Sequence, residues 1–273
     1  MRTISAKKIT ETVRDLCIKA NQELRGDIIS GLNQAYGQET DSRSKNILKA
    51  ILENARIAKK EKLSICQDTG FPSIFIELGQ GLNVKGDLNQ AIHKGIDAGY
   101  KKGSFRASVV ADPLKRGKSG YTPAVIHVDL VKGSKLKIIV LPKGFGCENK
   151  SQLKMLNPTA SWSEISKFVV NAVKTAGPDA CPPYVVGVGI GGTADYVCLL
   201  AKKALLADIN AKSSKLEQQL LKEINKLRIG PMGLGGKVTA LAVKIEEYPT
   251  HIAGLPVAVN ISCHATRSAT AIL

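Results

Sequence analysis

Two stretches decide the fold: Ser73-Ile74-Phe75-Ile76-Glu77-Leu78 and Ala124-Val125-Ile126-His127-Val128-Asp129-Leu130-Val131. Both are short, apolar and rich in β-branched residues, which predicts strands. The second turns at Lys132-Gly133-Ser134 into Leu136-Lys137-Ile138-Ile139-Val140, so these two segments predict a hairpin. Upstream the period is different. Val13, Leu16, Cys17, Ala20, Leu24, Ile28 and Leu32 recur at steps of three and four, and Ile47, Leu48, Ile51, Leu52 and Ala55 do the same after an Asp41-Ser42 start signal. The first sixty residues therefore predict two helices, a helical N-terminal portion of about 1–64.

Downstream, Ser161 and Glu164 form a capping box for a helix reaching about Thr175. A short apolar strand follows over 184–190, then helices over about 194–206 and 213–227, then strands over 237–245 and 257–261. Helices and strands mix without strict alternation. The expectation is an α/β fold, a mixed sheet covered by helices, in a single domain spanning 1–273.

The 273 residues carry 39 Lys plus Arg against 23 acids, a net charge of +16, which favours an anionic partner. The lysines are scattered in pairs such as Lys7-Lys8 and Lys202-Lys203, and no run reaches the length of a nucleic-acid arm. Aromatic residues make up only 4%, leaving little for base stacking, so a basic nucleic-acid binder or a plain scaffold are the remote alternatives. No apolar run approaches the ~18 residues of a membrane span and no signal-peptide core is present, so a cytoplasmic protein is expected. In a reducing compartment the six cysteines at 17, 66, 147, 181, 198 and 263 suit metal, cluster or core positions better than disulfides, and no C-x-x-C occurs.

Two glycine-rich segments imitate nucleotide motifs. Gly187-Val188-Gly189-Ile190-Gly191-Gly192 satisfies G-x-G-x-x-G, but Asp208 lies between helical stretches, with no second strand to carry the acid that a dinucleotide site needs. Pro231-Met232-Gly233-Leu234-Gly235-Gly236-Lys237-Val238 has the Gly-Lys of a P-loop but lacks its first glycine and its final Ser or Thr. Cys66, Cys181 and Cys263 each stand in a turn beside a predicted strand, in polar or proline-rich company. Cys17 and Cys198 fall on apolar helical faces as ordinary buried thiols. Cys147, in a glycine turn, admits either a ligand or a space-filling role. Of nine arginines, Arg106 precedes and Arg116 follows Ala111-Asp112-Pro113-Leu114, Arg228 opens the 230–236 glycine turn and Arg267 follows Cys263-His264-Ala265-Thr266, placements where a bidentate donor suits carboxylate recognition.

Taken together, Cys66-Gln67-Asp68-Thr69-Gly70, the Lys143–Ser151 segment, Ala180-Cys181-Pro182-Pro183-Tyr184 followed by Gly189–Asp195, Arg228–Gly236 and His251–Arg267 occur in one order. In this the chain resembles the alpha subunit of the two-subunit, class I iron–sulfur fumarate hydratases, within the fumarate and tartrate dehydratase family. The resemblance covers nearly the whole chain. It implies a 4Fe–4S cluster held by Cys66, Cys181 and Cys263, with one iron left open as a Lewis acid. It further implies that Gln67, Arg106 and Gly146 bind substrate, that Asp68 donates or accepts a proton, and that His251 acts in the substrate pocket. Cys147, often serine in relatives, is not a ligand, because a fourth thiolate would close the open iron. His264 supports Cys263.

The implied activity is reversible hydration of fumarate to L-malate, with L-tartrate dehydration as the alternative. A beta subunit would supply the catalytic base and further substrate contacts, in an alpha-two beta-two heterotetramer, because this chain ends where that domain would start.

Overall fold

The structure, a computed structural model, describes residues 2–273. In chain order the elements are β1 (Arg2–Ser5), α1 (Ala6–Gln22), α2 (Gly26–Gln38), α3 (Ser42–Glu61), β2 (Phe71–Gly79), β3 (Leu82–Lys85) and α4 (Leu88–Lys102). Then come β4 (Val109–Asp112), β5 (Arg116–Gly120), β6 (Val125–Val131), β7 (Leu136–Lys143), the one-turn α5 (Phe145–Glu148), β8 (Gln152–Leu156) and α6 (Trp162–Ala176). The chain ends with β9 (Tyr184–Gly191), α7 (Ala194–Ala204), α8 (Lys215–Asn225), β10 (Ala240–Tyr248), β11 (Leu255–Ser262) and β12 (Ala269–Ile272). The mixed α/β class and the helical N-terminal portion are as expected. The strands form two separate four-stranded mixed sheets and two short two-stranded ribbons, β1–β3 and β4–β5.

The chain divides into two compact units, the first made of 1–25, 54–145 and 267–273 and the second of 26–53 and 146–266. In the first, the strand order is β12-β7-β2-β6. The predicted hairpin is therefore corrected: β2 lies between β6 and β7, parallel to the former and antiparallel to the latter. Pattern explains the placement. β2 is apolar toward both faces and buried over 72–76, as a central strand must be, whereas β6 leaves Val125, Val128 and Leu130 exposed, as an edge strand can. The Lys132-Gly133-Ser134 turn passes over the end of β2, where Gly81 N donates to Gly133 O at 2.8 Å. Helices α1 and α4 cover one face, with Ile9, Val13, Ile92, Ile96 and Tyr100 packed on Ile74, Ile76, Leu136 and Ile138. Their close approach needs glycine on α4, since a Cβ at Gly95 would stand 2.7 Å from Thr10 O.

The two expected N-terminal helices are three. The apolar spacing runs on from α1 into α2, but Glu23 takes an extended conformation (φ −130°, ψ 129°) and ends α1, and α2 starts afresh at Gly26 to bury Ile28, Leu32 and Ala35 in the second unit. Helix α4, announced only by its Asp87 cap, lies outside the sequence expectation.

In the second unit the order is β10-β9-β11-β8, with Val186, Val188, Val257, Val259 and Ile261 packed against Val169, Val173, Leu220 and Ile224 of α6 and α8. The Ser161–Glu164 capping box is present as expected. Gly187 and Gly189 of β9 face α7: a Cβ there would run into the Ala201 and Val197 carbonyls. The G-x-G-x-x-G spacing thus serves helix–strand packing. Gly189→Ala is expected to cost about 1–3 kcal/mol by overpacking. Gly37→Ala, with open space around it, should stay within about 1 kcal/mol of wild type. Urea midpoints of the two variants check this, and an unchanged midpoint for Gly189→Ala would contradict the packing.

Candidate active site

The Cys66–Gly70 turn enters β2, and the first unit holds it from several directions. Ile65 N donates to Asn21 O at 2.9 Å and Asn54 Nδ2 to Ile65 O at 2.9 Å, which fixes the residue before Cys66. Three successive carbonyls are taken by side chains. Arg267 Nη2 donates to Asp68 O, and Tyr100 Oη donates to Thr69 O at 3.0 Å and Gly70 O at 3.3 Å. Burial pushes the Tyr100 phenol up, so it remains a donor. The Asp68 carboxylate accepts Gly70 N on Oδ1 at 2.9 Å and Phe145 N on Oδ2 at 2.8 Å. Gly144 leaves room for it, because a Cβ there would stand 3.2 Å from Oδ2.

Gln67 is exposed on the same turn. Arg106 is brought alongside by its carbonyl, which accepts Thr69 Oγ1 at 3.1 Å, while its own side chain is exposed. The partly exposed Cys66 and the half-buried Asp68 therefore share one turn with Gln67, with Arg106 held beside it. Asn21, Tyr100 and the Phe145 amide were not among the sequence candidates. Their partners lie far away in sequence, and no local motif marks them.

The second unit brings Cys181 and Cys263 together. Cys181 has φ 54°, and its carbonyl accepts His264 N at 3.1 Å and faces His264 Nδ1 at 3.1 Å. Cys263 O accepts both the amide and the hydroxyl of Thr266, at 3.0 and 2.8 Å. The Tyr184 phenol is pushed up first by burial and then by the neighbouring Cys147 and Cys181 thiols, Asp179 and the Cys263 thiol. Cys147 is buried, with its Sγ 3.5 Å from Ala180 O, and Gly146 beside it is exposed.

His251 is not brought to this end. It follows β10 and precedes β11, whereas Cys263 leaves the far end of β11, and eight strand residues at about 3.3 Å each separate the two by roughly 25 Å. His251 lines a cavity of about 300 Å³ with Thr193, Tyr196, Tyr248 and Thr250. Its Nδ1 accepts Ala253 N at 3.2 Å.

The P-loop-like turn is occupied from within. Buried Glu39 takes Lys237 N at 2.7 Å on Oε2 and Thr40 N and Asp41 N on Oε1, and Ser44 Oγ donates to Gly235 O. A carboxylate thus already sits where a phosphate would have to bind. Arg228 and Arg116 are both exposed, and the turn that Arg228 opens bonds through Met232 N to Pro182 O, next to Cys181.

The sequence profile of the fumarate hydratase (Fumerase) family matches residues 10–272. The chain belongs to this family. A Methanocaldococcus jannaschii protein, provisionally named L(+)-tartrate dehydratase subunit alpha, is 40% identical over 275 residues and 96% of both chains. The L(+)-tartrate dehydratase alpha subunits of Escherichia coli and Shigella sonnei are 30% identical, covering 97% of this chain and 91% of theirs.

Fumerase-family hydratases are of the iron–sulfur class, and the thiols of this chain sort accordingly. Burial pushes the Cys17 thiol up, as expected of a buried helical thiol; Cys198, expected to be buried too, is instead exposed on α7, where partial desolvation raises its thiol against the lowering influence of Lys202, so neither favours a thiolate. Cys66, Cys181 and Cys263 are all partly exposed and placed in loops. No three His, Cys, Asp or Glu side chains among the described residues surround a single ion. A cluster, in which each thiolate meets a different iron, asks for ligands further apart.

Burial raises the Glu39 carboxyl, but the backbone N–H groups of Asp41, Lys237 and Thr40 outweigh it and hold the group below its ordinary range. Its contribution to stability is therefore complete above the ordinary value of about 4.3 and is lost as pH falls through the lower folded value. Glu39→Gln should cost about 1–3 kcal/mol at pH 7. The gap to wild type should narrow as pH drops below about 4, read from denaturation midpoints across pH. A gap independent of pH would count against the carboxylate's role.

Proposed function

We propose that this chain is the alpha subunit of a 4Fe–4S hydro-lyase that reversibly hydrates fumarate to L-malate, with Cys66, Cys181 and Cys263 as cluster ligands. The observation that carries the reading is the Asp68 carboxylate, held by two backbone N–H groups on the same turn as Cys66. The family match over residues 10–272 supports the reaction class. The cluster, when bound, supplies an open iron that acts as a Lewis acid toward the substrate hydroxyl and carboxylate.

The chain's own residues divide the remaining work. Each Asp68 oxygen accepts one N–H and keeps a lone pair, so the carboxyl group can hold a proton for the departing hydroxyl without releasing its anchors. Arg106 offers a bidentate donor to one substrate carboxylate, and Gln67 and Gly146 N offer neutral donors. His264 braces the Cys181 carbonyl and thereby the Cys263 turn. His251, a strand's length from Cys263, takes no part in proton transfer at its own chain's cysteines. Elimination of water also needs a base at C3 on the opposite side of the substrate. We assign that base to a beta subunit, in keeping with relatives named as alpha subunits, in an alpha-two beta-two assembly.

The names of the relatives favour a second substrate, L(+)-tartrate. The two acids differ by one hydroxyl, and a site that hydrogen-bonds that group rejects the analogue lacking it by up to about 10,000-fold. Anaerobic assays of the assembled enzyme with malate, fumarate and tartrate side by side decide. A preference of more than about tenfold for malate supports the first reading, a reversed preference the second, and turnover of none of them rejects both.

Iron content should fall in Cys66→Ser, Cys181→Ser and Cys263→Ser and persist in Cys17→Ala, Cys147→Ser and Cys198→Ser. Full iron loading of Cys181→Ser would reject the ligand set. Asp68→Asn should retain iron while turnover falls about 100- to 10,000-fold. Arg106→Lys should mainly raise KM. Unchanged turnover in Asp68→Asn would remove that carboxyl from the chemistry.

A further inference from the structure

Arg267 is a charged group at the Asp68 turn that the proposed mechanism does not use, and its surroundings are unusual. The side chain is 4% exposed, and the Asp68 carbonyl is the acceptor its guanidinium has in the protein. Its Nε–H is buried without a partner. A guanidinium carries five donors and a permanent charge, and burying one with a donor unmet is costly. Such groups persist where they hold something in place.

The first sheet explains how it gets there. Arg267 stands two residues before β12, whose Ala269 pairs with Val140 of β7. β7 then runs on to Lys143, opposite Phe71 at the start of β2. Three strand ends thus meet at one edge of the sheet. One delivers Arg267 to the Asp68 carbonyl, one delivers Phe145 N to the Asp68 Oδ2, and the third begins just after the Asp68 turn.

We propose that Arg267 is a positioning residue for proton transfer at Asp68: by holding the Asp68 carbonyl it sets the direction of the carboxyl group. This rests on the hydro-lyase reading. Thr69 O and Gly70 O are secured by Tyr100, and the carboxylate by two amides, so the peptide between Asp68 and Thr69 would be free to rotate were it not for Arg267. Rotation of that peptide swings the carboxyl away from its two N–H donors.

The test has a kinetic arm and a spectroscopic arm. In the assembled enzyme Arg267→Gln should lower kcat by about 10- to 100-fold, as a misplacement of about 1 Å does, with KM changed less than about threefold. Placed in an Asp68→Asn background, the same change should add less than about twofold, because a residue acting through Asp68 has nothing left to position. Arg267→Lys, which keeps the charge and an N–H donor but not the planar fork, should recover part of the loss.

Hydrogen exchange on the isolated chain reads the geometry directly. The Gly70 and Phe145 amides should exchange at least about tenfold faster in Arg267→Gln, while β9 and β11 amides stay unchanged. Equal losses in both backgrounds, a rise in KM with kcat intact, or unchanged exchange at Gly70 and Phe145 would each overturn the proposal. If Arg267→Gln does not fold, Arg267→Lys carries the same three comparisons. Absence of turnover in the wild-type assembly would reject the hydro-lyase reading alone, since the exchange arm decides the role of Arg267 independently.

Discussion

Residues 65–70 have no regular secondary structure, yet they must present a thiol and a carboxylate in fixed positions. Ordering six residues costs about 6–12 kcal/mol of backbone entropy. Eight hydrogen bonds oppose it: those of Ile65 N and O, the three carbonyls of Asp68, Thr69 and Gly70, the Thr69 hydroxyl and both Asp68 oxygens. At about 1 kcal/mol each they come to about 8 kcal/mol. The near balance explains why so many distant groups converge here. Removing one partner leaves a buried carbonyl or donor unmet, so the turn holds as a unit or loosens as a unit.

The second unit uses its glycines for a different end. Gly187 and Gly189 let α7 approach β9 to carbonyl contact, and Gly230, with φ 70°, turns the chain where a Cβ would collide with Gly235 O. Neither segment presents amides to an outside anion. In the second, Glu39 takes the Lys237 amide while the amides of Met232, Gly233, Leu234 and Gly235 donate to backbone carbonyls, and the internal carboxylate also repels phosphate. The same backbone amides that bind a nucleotide in a P-loop are here part of the core.

Local chemistry was legible in the sequence. The Ser161–Glu164 box starts α6, and the period of three and four marks α1 and α3, because caps and amphipathic spacing act within a few residues. The sorting of cysteines by company, turn against apolar face, agrees with the buried, raised thiol of Cys17. Strand pairing was less legible. The turn after Val131 favours a hairpin locally, and only the two-sided burial of β2 forces it between β6 and β7, a preference expressed between segments some fifty residues apart. Arg267 stood out as an arginine beside a cysteine turn. That its partner is a carbonyl of residue 68 follows from β12 lying next to β7, which no local pattern announces.

The length of β11 bears on the chemistry more than any single side chain. β9 and β11 run antiparallel from Val185 opposite Ser262 to Ile190 opposite Val257, so both strands join the same two ends of the unit. One end gathers Cys181, Cys263 and His264. The other gathers Gly192, Tyr196, Tyr248 and His251 around a separate cavity. A four-carbon dicarboxylate is far shorter than the roughly 25 Å that an eight-residue strand spans. No single substrate can touch both ends, and the rigidity of a central strand buried over almost its whole length prevents them from folding toward each other. On the proposed hydro-lyase reading His251 therefore cannot share a substrate with Cys181 and Cys263 of its own chain, and Asp68, fixed by two backbone N–H groups on the turn of the partly exposed Cys66, is the acid that reading uses.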